Sequence, residues 1–364
     1  MDIRELDKNF RTVSVSGVSY DMYSPQDLGL EGFPWDNENE TFLYRLPDRM
    51  KDEVTQAVCQ LAYNTAGGVI HFCTDSTAVL LKGTYRPTSI MPHMPFTGQG
   101  GFDVMLCSQD GEHLVANLYG EVADIINKKF DFELSCRLPE GMHEYKIYLP
   151  LYAGLESLEI GLSEGAKVEK APAYKVKPVL FYGSSITQGG CASRPSNCHA
   201  AQLAARVGAE QINLGFSGNA KGEANIAELI ASLDLSCFVM DYDHNAPNYE
   251  HLVKTHEPFF KIIREKQPEL PVVMISRPCS GYFDVEDDRR RRDVIMRTYL
   301  NARDKGDKNV YFVDGTKFYT QDVREMPSVD KSHPTDLGFY MMTRAILPVL
   351  RQALGQVTFL PGMA

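Results

Sequence analysis

The sequence predicts two domains: a β-sandwich of jelly-roll type over residues 1–170 and an α/β domain with a five-stranded parallel sheet over residues 178–364. Three observations predict this division. A chain of 364 residues is longer than one hydrophobic core usually serves. Short β-rich segments separated by turns fill the first half, and short apolar runs alternate with helical patterns in the second. The charge divides at the same place, because residues 1–170 carry 14 basic and 26 acidic side chains whereas residues 171–364 carry 23 and 22.

The first domain is predicted from short segments rich in β-branched and apolar residues. The predicted strands are 68–74, 78–82, 102–107, 114–119, 130–136, 144–149 and 158–162. Asp110-Gly111 lies between two of them and is typical of a tight hairpin turn. Residues 52–61 fit a short helix or a strand. The polar, aperiodic run 164–177 is the predicted linker.

The second domain is predicted from five short apolar runs that alternate with helices of three to five turns, which is the pattern of βαβ units. The predicted strands are 178–183, 211–216, 237–241, 271–276 and 310–314. The predicted helices are 198–207, 224–233, 249–266, 285–303 and 337–354. A parallel sheet of this kind carries its functional groups in the loops after its strands.

Composition excludes several classes of protein. With 43% hydrophobic and 23% charged residues, the chain fits a globular protein and not a disordered or fibrous one. The net charge of −11 argues against nucleic-acid binding, and no uninterrupted apolar run of ~18 residues predicts a membrane span. The charged start lacks a signal peptide, so a cytoplasmic location is expected, or secretion if a leader was trimmed. The oligomeric state is left open.

No metal or other cofactor is predicted. The eight cysteines are widely spaced or lie inside hydrophobic runs, without a CxxC or HExxH pattern. Buried free thiols are therefore expected, Cys279 among them. Cys191 is interpreted as a packing residue, because no base is visibly directed at it.

Residues suited to acyl transfer follow the predicted strands of the second domain. Ser185 lies in a glycine-rich turn after the first strand, and Asp330 and His333 precede the last helix. A serine followed by an aspartate and a histidine near the C-terminus is one of the orders in which acyl-transfer triads occur. A spacing of three residues lets the Asp330 carboxylate reach Nδ1 of His333 while Nε2 faces the serine. The pattern therefore predicts a nucleophile, a base and an orienting carboxylate.

These blocks resemble the SGNH, or GDSL-type, hydrolase superfamily over residues 178–354. Gly183-Ser184-Ser185-Ile186-Thr187 matches the family's Gly-Asp-Ser-Ile-Thr, with Ser184 in place of aspartate, and 330–334 matches Asp-x-x-His-Pro. The resemblance implies a flavodoxin-like three-layer α/β/α fold with Ser185 as nucleophile. It also implies an oxyanion hole made by the amides of Ser185 and Gly218 and the side chain of Asn245. Asp243 and Ala246 also depart from the family pattern beside Asn245.

The first half resembles the N-terminal β-sandwich of a bacterial two-domain branch of these hydrolases. Gly101-Phe102-Asp103-Val104 is similar to that domain's Gly-x-Asp motif. Asp103 is accordingly predicted to bind substrate. His244, beside Asn245 at the functional edge of the parallel sheet, is predicted to bind substrate as part of the pocket wall, with an inert loop residue as the alternative. The expected activity is hydrolysis of short-chain O-acyl esters, with O-acetyl groups on a glycan or related small molecule as the substrate class. An acyltransferase using the same triad and a non-catalytic glycan-binding protein are the alternatives.

Several residues near the predicted site have structural interpretations of their own. Ser184 is the rival nucleophile, but capping the following turn is the favoured role. Arg277 can bind a substrate carboxylate or pair with Asp243, and the ion pair is the preferred expectation. The run 287–293 is interpreted as a solvated helix start with i,i+4 pairs from Asp287 to Arg291 and from Asp288 to Arg292. Trp35 is expected to be a buried anchor.

Overall fold

The chain divides into two compact units that differ in detail from the two predicted ranges. The structure is a computed structural model that describes residues 12–15, 17–278, 285–320, 322–323 and 326–356, so Cys279 lies outside the described residues. Unit 1 comprises Met1–Asp48, Tyr63–Ala173 and Ser193–Ser196, and unit 2 comprises Arg49–Ala62, Tyr174–Ala192 and Asn197–Ala364. Residues 49–62 thus belong to unit 2, although they lie in the first predicted range. Residues 193–196 belong to unit 1, although they lie in the second.

Unit 1 is a β-sandwich of two antiparallel sheets. Its strands are β1 (Thr12–Val15), β2 (Val18–Tyr23), β3 (Leu30–Glu31), β4 (Val69–Thr74), β5 (Ala78–Tyr85), β6 (Phe102–Ser108), β7 (Gly111–Leu118), β8 (Asp131–Arg137), β9 (His143–Tyr148), β10 (Leu155–Ser163) and β11 (Val168–Lys170). One sheet has the order β1-β2-β10-β5-β8; the other has the order β11-β4-β9-β6-β7, with β3 also paired to β4. Its short helices are α1 (Pro25–Leu28), α3 (Phe96–Gln99) and α4 (Val122–Ile126).

One hydrophobic core joins the two sheets of unit 1. Ile70 and Ile147 from one sheet lie in the same buried cluster as Leu81 and Ile160 from the other. Alternate residues of several strands, such as Ile70 and Phe72 of β4, enter this core because side chains point to opposite faces of a strand in turn. Trp35 is 3% exposed, as the sequence predicts.

Two expectations about local structure need correction or completion. The predicted linker contains β11, which pairs antiparallel with β4; an edge strand of this kind needs no apolar pattern because little of its surface enters the core. The ambiguous segment 52–61 contains a helix, α2 (Gln56–Leu61), whose first turn is capped by the Thr55 side chain. The Asp110-Gly111 hairpin joins β6 and β7 as predicted.

Unit 2 contains a five-stranded parallel sheet with helices packed against it. The strands are β12 (Val179–Gly183), β13 (Gln211–Gly215), β14 (Cys237–Asp241), β15 (Val272–Ile275) and β16 (Val310–Val313). Besides α2, its helices are α5 (Ser185–Gln188), α6 (His199–Val207), α7 (Ala224–Ile230), α8 (Tyr249–Lys266), α9 (Val285–Asp304) and α10 (Asp336–Ala353). The sheet order β13-β12-β14-β15-β16 is the flavodoxin-like order that the resemblance implies.

The strand order reverses at β12, which is flanked by β13 on one side and β14 on the other. Gly183 at the end of β12 is level with Gly215 and Asp241 at the ends of those two neighbours. A reversal of this kind opens a crevice beyond the carboxyl ends of the strands. Among the described residues, no helix is both long enough and apolar enough to cross a membrane.

Candidate active site

The turn after β12 presents Ser185 at the start of the short helix α5. A Cβ on Gly183 would lie 2.1 Å from Thr187 Oγ1 and 2.2 Å from the Asp241 carbonyl oxygen, so only glycine fits where the strand turns into the helix. Ser184 is 1% exposed, and its Oγ accepts a hydrogen bond from Ile186 N at 3.2 Å. Ser184 is therefore the cap of α5.

Ser185, His333 and Asp330 form a continuous chain of hydrogen bonds. Ser185 Oγ lies 2.8 Å from His333 Nε2, and His333 Nδ1 lies 2.7 Å from Asp330 Oδ2. The other carboxylate oxygen, Asp330 Oδ1, accepts from the backbone N–H groups of His333 at 2.7 Å and of Ser332 at 3.0 Å. Burial by itself would raise the pKa of Asp330, but these hydrogen bonds outweigh that effect and lower the pKa. The arrangement can move a proton from the serine to the imidazole while a carboxylate stabilises the cation.

The loop that holds Asp330 and His333 includes a residue in the left-handed region. Lys331 has φ of +71°, which side-chain-bearing residues seldom adopt. This conformation reverses the chain between Asp330 and His333, so both side chains meet across one turn. No local pattern predicts this conformation, since lysine is not typical of such positions.

The loop after β13 supplies an unoccupied backbone donor. Gly218 has φ of +69° and nothing within 4 Å of where a Cβ would lie. Among the described residues, its N–H has no hydrogen-bond partner. The preceding residue is tied to α5, because Ser217 N donates to Gln188 Oε1 at 3.1 Å.

Asn245 connects the loops after β13 and β14. Its Nδ2 donates to the Phe216 carbonyl oxygen at 2.9 Å, which occupies one of its two hydrogens. The hydrogen bond from Phe216 N to the Gly183 carbonyl oxygen at 2.9 Å joins the same loop to the end of β12. The structure thus gathers the residues predicted as oxyanion donors on loops that are bonded to one another.

His244 and Asp243 precede Asn245 in a short 3-10 turn, Asp243–Asn245. Burial, and then the positive charge of Arg277, lower the pKa of His244 to about 3, so the ring stays neutral in the physiological range. Its Nε2 is buried without a hydrogen-bond partner in the described structure. Asp243 is 1% exposed, and burial raises the pKa of its carboxyl to about 6.

Arg277 pairs differently from the expected ion pair with Asp243. Its backbone N–H donates to Asp243 Oδ2 at 3.0 Å, while its guanidinium pairs with Asp287 at 3.0 Å and with Asp288. Arg292 accordingly pairs with Asp293 at 2.7 Å, not with Asp288. Of the two expected helical pairs, the one from Asp287 to Arg291 is present at 2.6 Å.

Asp103, predicted to bind substrate, is 0% exposed and lies in β6 of unit 1. Its Oδ2 accepts from Ser196 N at 2.8 Å and pairs with Arg194 at 3.1 Å, and its Oδ1 accepts from Asn117 at 2.8 Å. The carboxylate therefore holds the 193–196 segment within unit 1. Contact between Asp103 and a substrate stays a prediction.

Cys191 has φ of +75°, and its Sγ lies within 4.8 Å of a ring nitrogen of His333. Burial, and then the negative charge of Asp330, raise the pKa of its thiol to about 12, so it is not a competing nucleophile at neutral pH. The sequence placed it near the nucleophile but gave no sign of the unusual backbone.

One group in unit 1 has metal-ligating atoms close together. Ligand atoms of His71, Cys107 and Glu144 lie within 4.8 Å of one another. The two ring nitrogens of His71 already contact Glu31 at 2.9 Å and Glu144 at 2.8 Å. These direct hydrogen bonds account for the close approach of His71 and Glu144.

Comparison with known proteins identifies the family of each domain. Residues 176–351 match the model of the GDSL-like lipase/acylhydrolase family, and residues 20–168 match the model of the N-terminus of Esterase_SGNH_hydro-type proteins. The chain belongs to the GDSL-like hydrolases. It is accordingly a carboxylic ester hydrolase of the SGNH type, in which a β-sandwich precedes the α/β domain.

Several solved structures are similar to this GDSL-like hydrolase. A protein described as a GDSL-like lipase from Bacteroides ovatus is 28% identical, with a TM-score of 0.82 over 92% of this chain and 98% of that one. The salicylyl-acyltransferase SsfX3 from a tetracycline biosynthetic pathway is 21% identical, with a TM-score of 0.76 over 92% and 98%. A family two carbohydrate esterase from Clostridium thermocellum is 14% identical, with a TM-score of 0.58 over 80% and 94%. No curated protein matches the chain significantly.

Proposed function

We propose that this hydrolase removes short-chain O-acyl groups, specifically O-acetyl groups, from a carbohydrate or a related small molecule. The observation that carries the proposal is the hydrogen-bonded chain from Asp330 through His333 to Ser185, with contacts of 2.7 and 2.8 Å. The nucleophile Ser185 is 8% exposed. Similar structures include family two carbohydrate esterases and an acetyl xylan esterase, which supports the substrate class.

In this mechanism Ser185 Oγ attacks the ester carbonyl carbon while His333 Nε2 takes its proton. Asp330 holds the proton of Nδ1 and stabilises the imidazolium that forms. The amides of Ser185 and Gly218 and the free Nδ2 hydrogen of Asn245 stabilise the oxyanion of the tetrahedral intermediate. His333 then gives its proton to the leaving alcohol, and water releases the acyl group by the same steps in reverse order.

The test compares Ser185→Ala with Ser184→Ala on peracetylated sugars and on aryl esters of increasing chain length. Ser185→Ala should lose at least about 10³-fold in kcat/KM, whereas Ser184→Ala, which removes only a helix cap, should keep most of it. Activity should fall as the acyl chain lengthens. Near-normal turnover by Ser185→Ala would overturn the proposal, and a preference for long acyl chains would overturn the substrate class.

Acyl transfer to an alcohol other than water is the second candidate. The likeness to a salicylyl-acyltransferase over 92% of the chain favours it. Product analysis with an acetyl aryl ester and sugar acceptors distinguishes the two, because a transferase forms acetylated sugar in preference to acetate. Membership of a hydrolase family argues against a non-catalytic glycan-binding protein.

A further inference from the structure

A buried arginine closes the turn that carries Asn245. Arg291 Nη1 donates to the carbonyl oxygens of Asp243 and Ala246, both at 2.9 Å. These two carbonyls bracket His244 and Asn245, and Arg291 is only 6% exposed. One nitrogen of the guanidinium therefore fixes both ends of the turn from which the Asn245 side chain projects.

Arg291 is itself held by charge on the same helix. Its Nε donates to Asp287 Oδ2 at 2.6 Å, and Arg277 Nη2 donates to the same oxygen at 3.0 Å. The backbone N–H of Arg277 in turn binds the Asp243 side chain. The turn, helix α9 and the segment after β15 thus form a closed network. Such a network restricts the turn more than its two backbone hydrogen bonds, from Asn245 N to Tyr242 O at 3.0 Å and from Ala246 N to Asp243 O at 3.2 Å.

We propose that Arg291 is a positioning residue that fixes Asn245 as a donor of the oxyanion hole. The inference rests on the proposed function, because it assigns a role at the same site. Preorganised donors stabilise the tetrahedral intermediate without reorganising during the reaction, and small displacements of such groups are costly. A lysine at this position keeps the charge, but its single ammonium cannot reproduce the planar fork that binds two carbonyls and Asp287 together.

The experiment compares Arg291→Lys with Arg292→Lys, its matched control on the same helix. Arg292 pairs with Asp293 and Asp314 and makes none of the bonds to the turn. Arg291→Lys should lower kcat for an acetyl ester by about 10- to 100-fold with KM changed less than about threefold. Binding of a boronic acid, which forms a tetrahedral adduct with the nucleophile, should weaken by a similar factor, while the acid limb of the kcat/KM profile should not move.

Three results are separable. If the wild-type protein hydrolyses no ester, the proposed function fails. If the wild type is active and Arg291→Lys matches Arg292→Lys in kcat and boronate affinity, the positioning role is wrong. Should Arg291→Lys fail to fold, Asp287→Asn replaces it, since the Asp287 side chain is 37% exposed. That variant should lower kcat by about 3- to 10-fold, and an unchanged kcat would equally refute the role.

Discussion

Replacing Asp330 by asparagine tests how the carboxylate directs the base. Asp330 Oδ1 accepts from the backbone of Ser332 and His333, and the amide oxygen of asparagine can keep both bonds. Its NH₂ group then faces His333 Nδ1, which must become the acceptor. The ring proton moves to Nε2 and points at Ser185, so the imidazole can no longer take the serine proton.

The size of the effect follows from charge and orientation. A carboxylate and an imidazolium whose centres are ~4 Å apart attract by ~4 kcal/mol at an effective dielectric constant of ~20. Asp330 is 40% exposed, so solvent screening reduces this to ~2 kcal/mol, or about 30-fold in rate. Loss of the correct tautomer increases the expected drop in kcat to about 10²- to 10³-fold.

The assay is hydrolysis of p-nitrophenyl acetate between pH 5 and 9, with Asp234→Asn as the control. Asp234 undergoes the same chemical change at a position that is 79% exposed and paired with Lys177. Because the Asp330 carboxyl has a lowered pKa, it is ionised throughout this range. A kcat for Asp330→Asn within threefold of the control would show that the Asp330 carboxylate does not direct the base.

Three further predictions concern stability and reactivity. Asp243→Asn should raise the free energy of unfolding at pH 8 by up to ~3 kcal/mol and change it little at pH 4. The pKa of the Asp243 carboxyl is about 6 in the folded chain, against an ordinary value of 3.8, so ionising it in the folded state costs free energy. This cost appears as the pH rises through that interval. Urea titrations at pH 4 and pH 8 check the prediction. Lys331→Gly should raise stability by ~1 kcal/mol in the same titrations, since it relieves the left-handed backbone; a lower stability would contradict this. Cys191 in the native protein should resist alkylation by iodoacetamide at pH 7.5, because the pKa of its thiol is about 12. Mass spectrometry measures the alkylation, and rapid modification of Cys191 would contradict the prediction.

Much of the fold could be predicted because hydrophobic periodicity reports burial directly. Strand β14, Cys237–Asp241, and helix α8, Tyr249–Lys266, have their predicted bounds. The loops at the ends of parallel strands lie at one edge of a sheet, so the order of the motifs was sufficient to bring Ser185 and His333 together. Edge strand β11 could not be predicted because its residues are mostly exposed and carry no alternating pattern.

The supports of the site were not predictable from local sequence. The four-residue spacing of Asp287 and Arg291 predicts an exposed ion pair on a helix. Nothing in that spacing indicates that the 243–246 turn packs over Arg291 and buries it. The motif that predicts contact between Asp103 and substrate contains no sign that the Asp103 carboxylate binds the backbone of Ser196. Both depend on contacts between distant parts of the chain, which a one-dimensional pattern does not record.

The most direct test of Ser185 as the nucleophile is to identify the residue that an organophosphate labels. The wild-type protein is incubated with diethyl p-nitrophenyl phosphate and digested, and the modified peptide is sequenced by mass spectrometry. We expect one diethylphosphoryl group on Ser185 of the wild type. The same label should be present in Ser184→Ala and absent from Ser185→Ala. Labelling of Ser184, or none in a protein that hydrolyses esters, would contradict it.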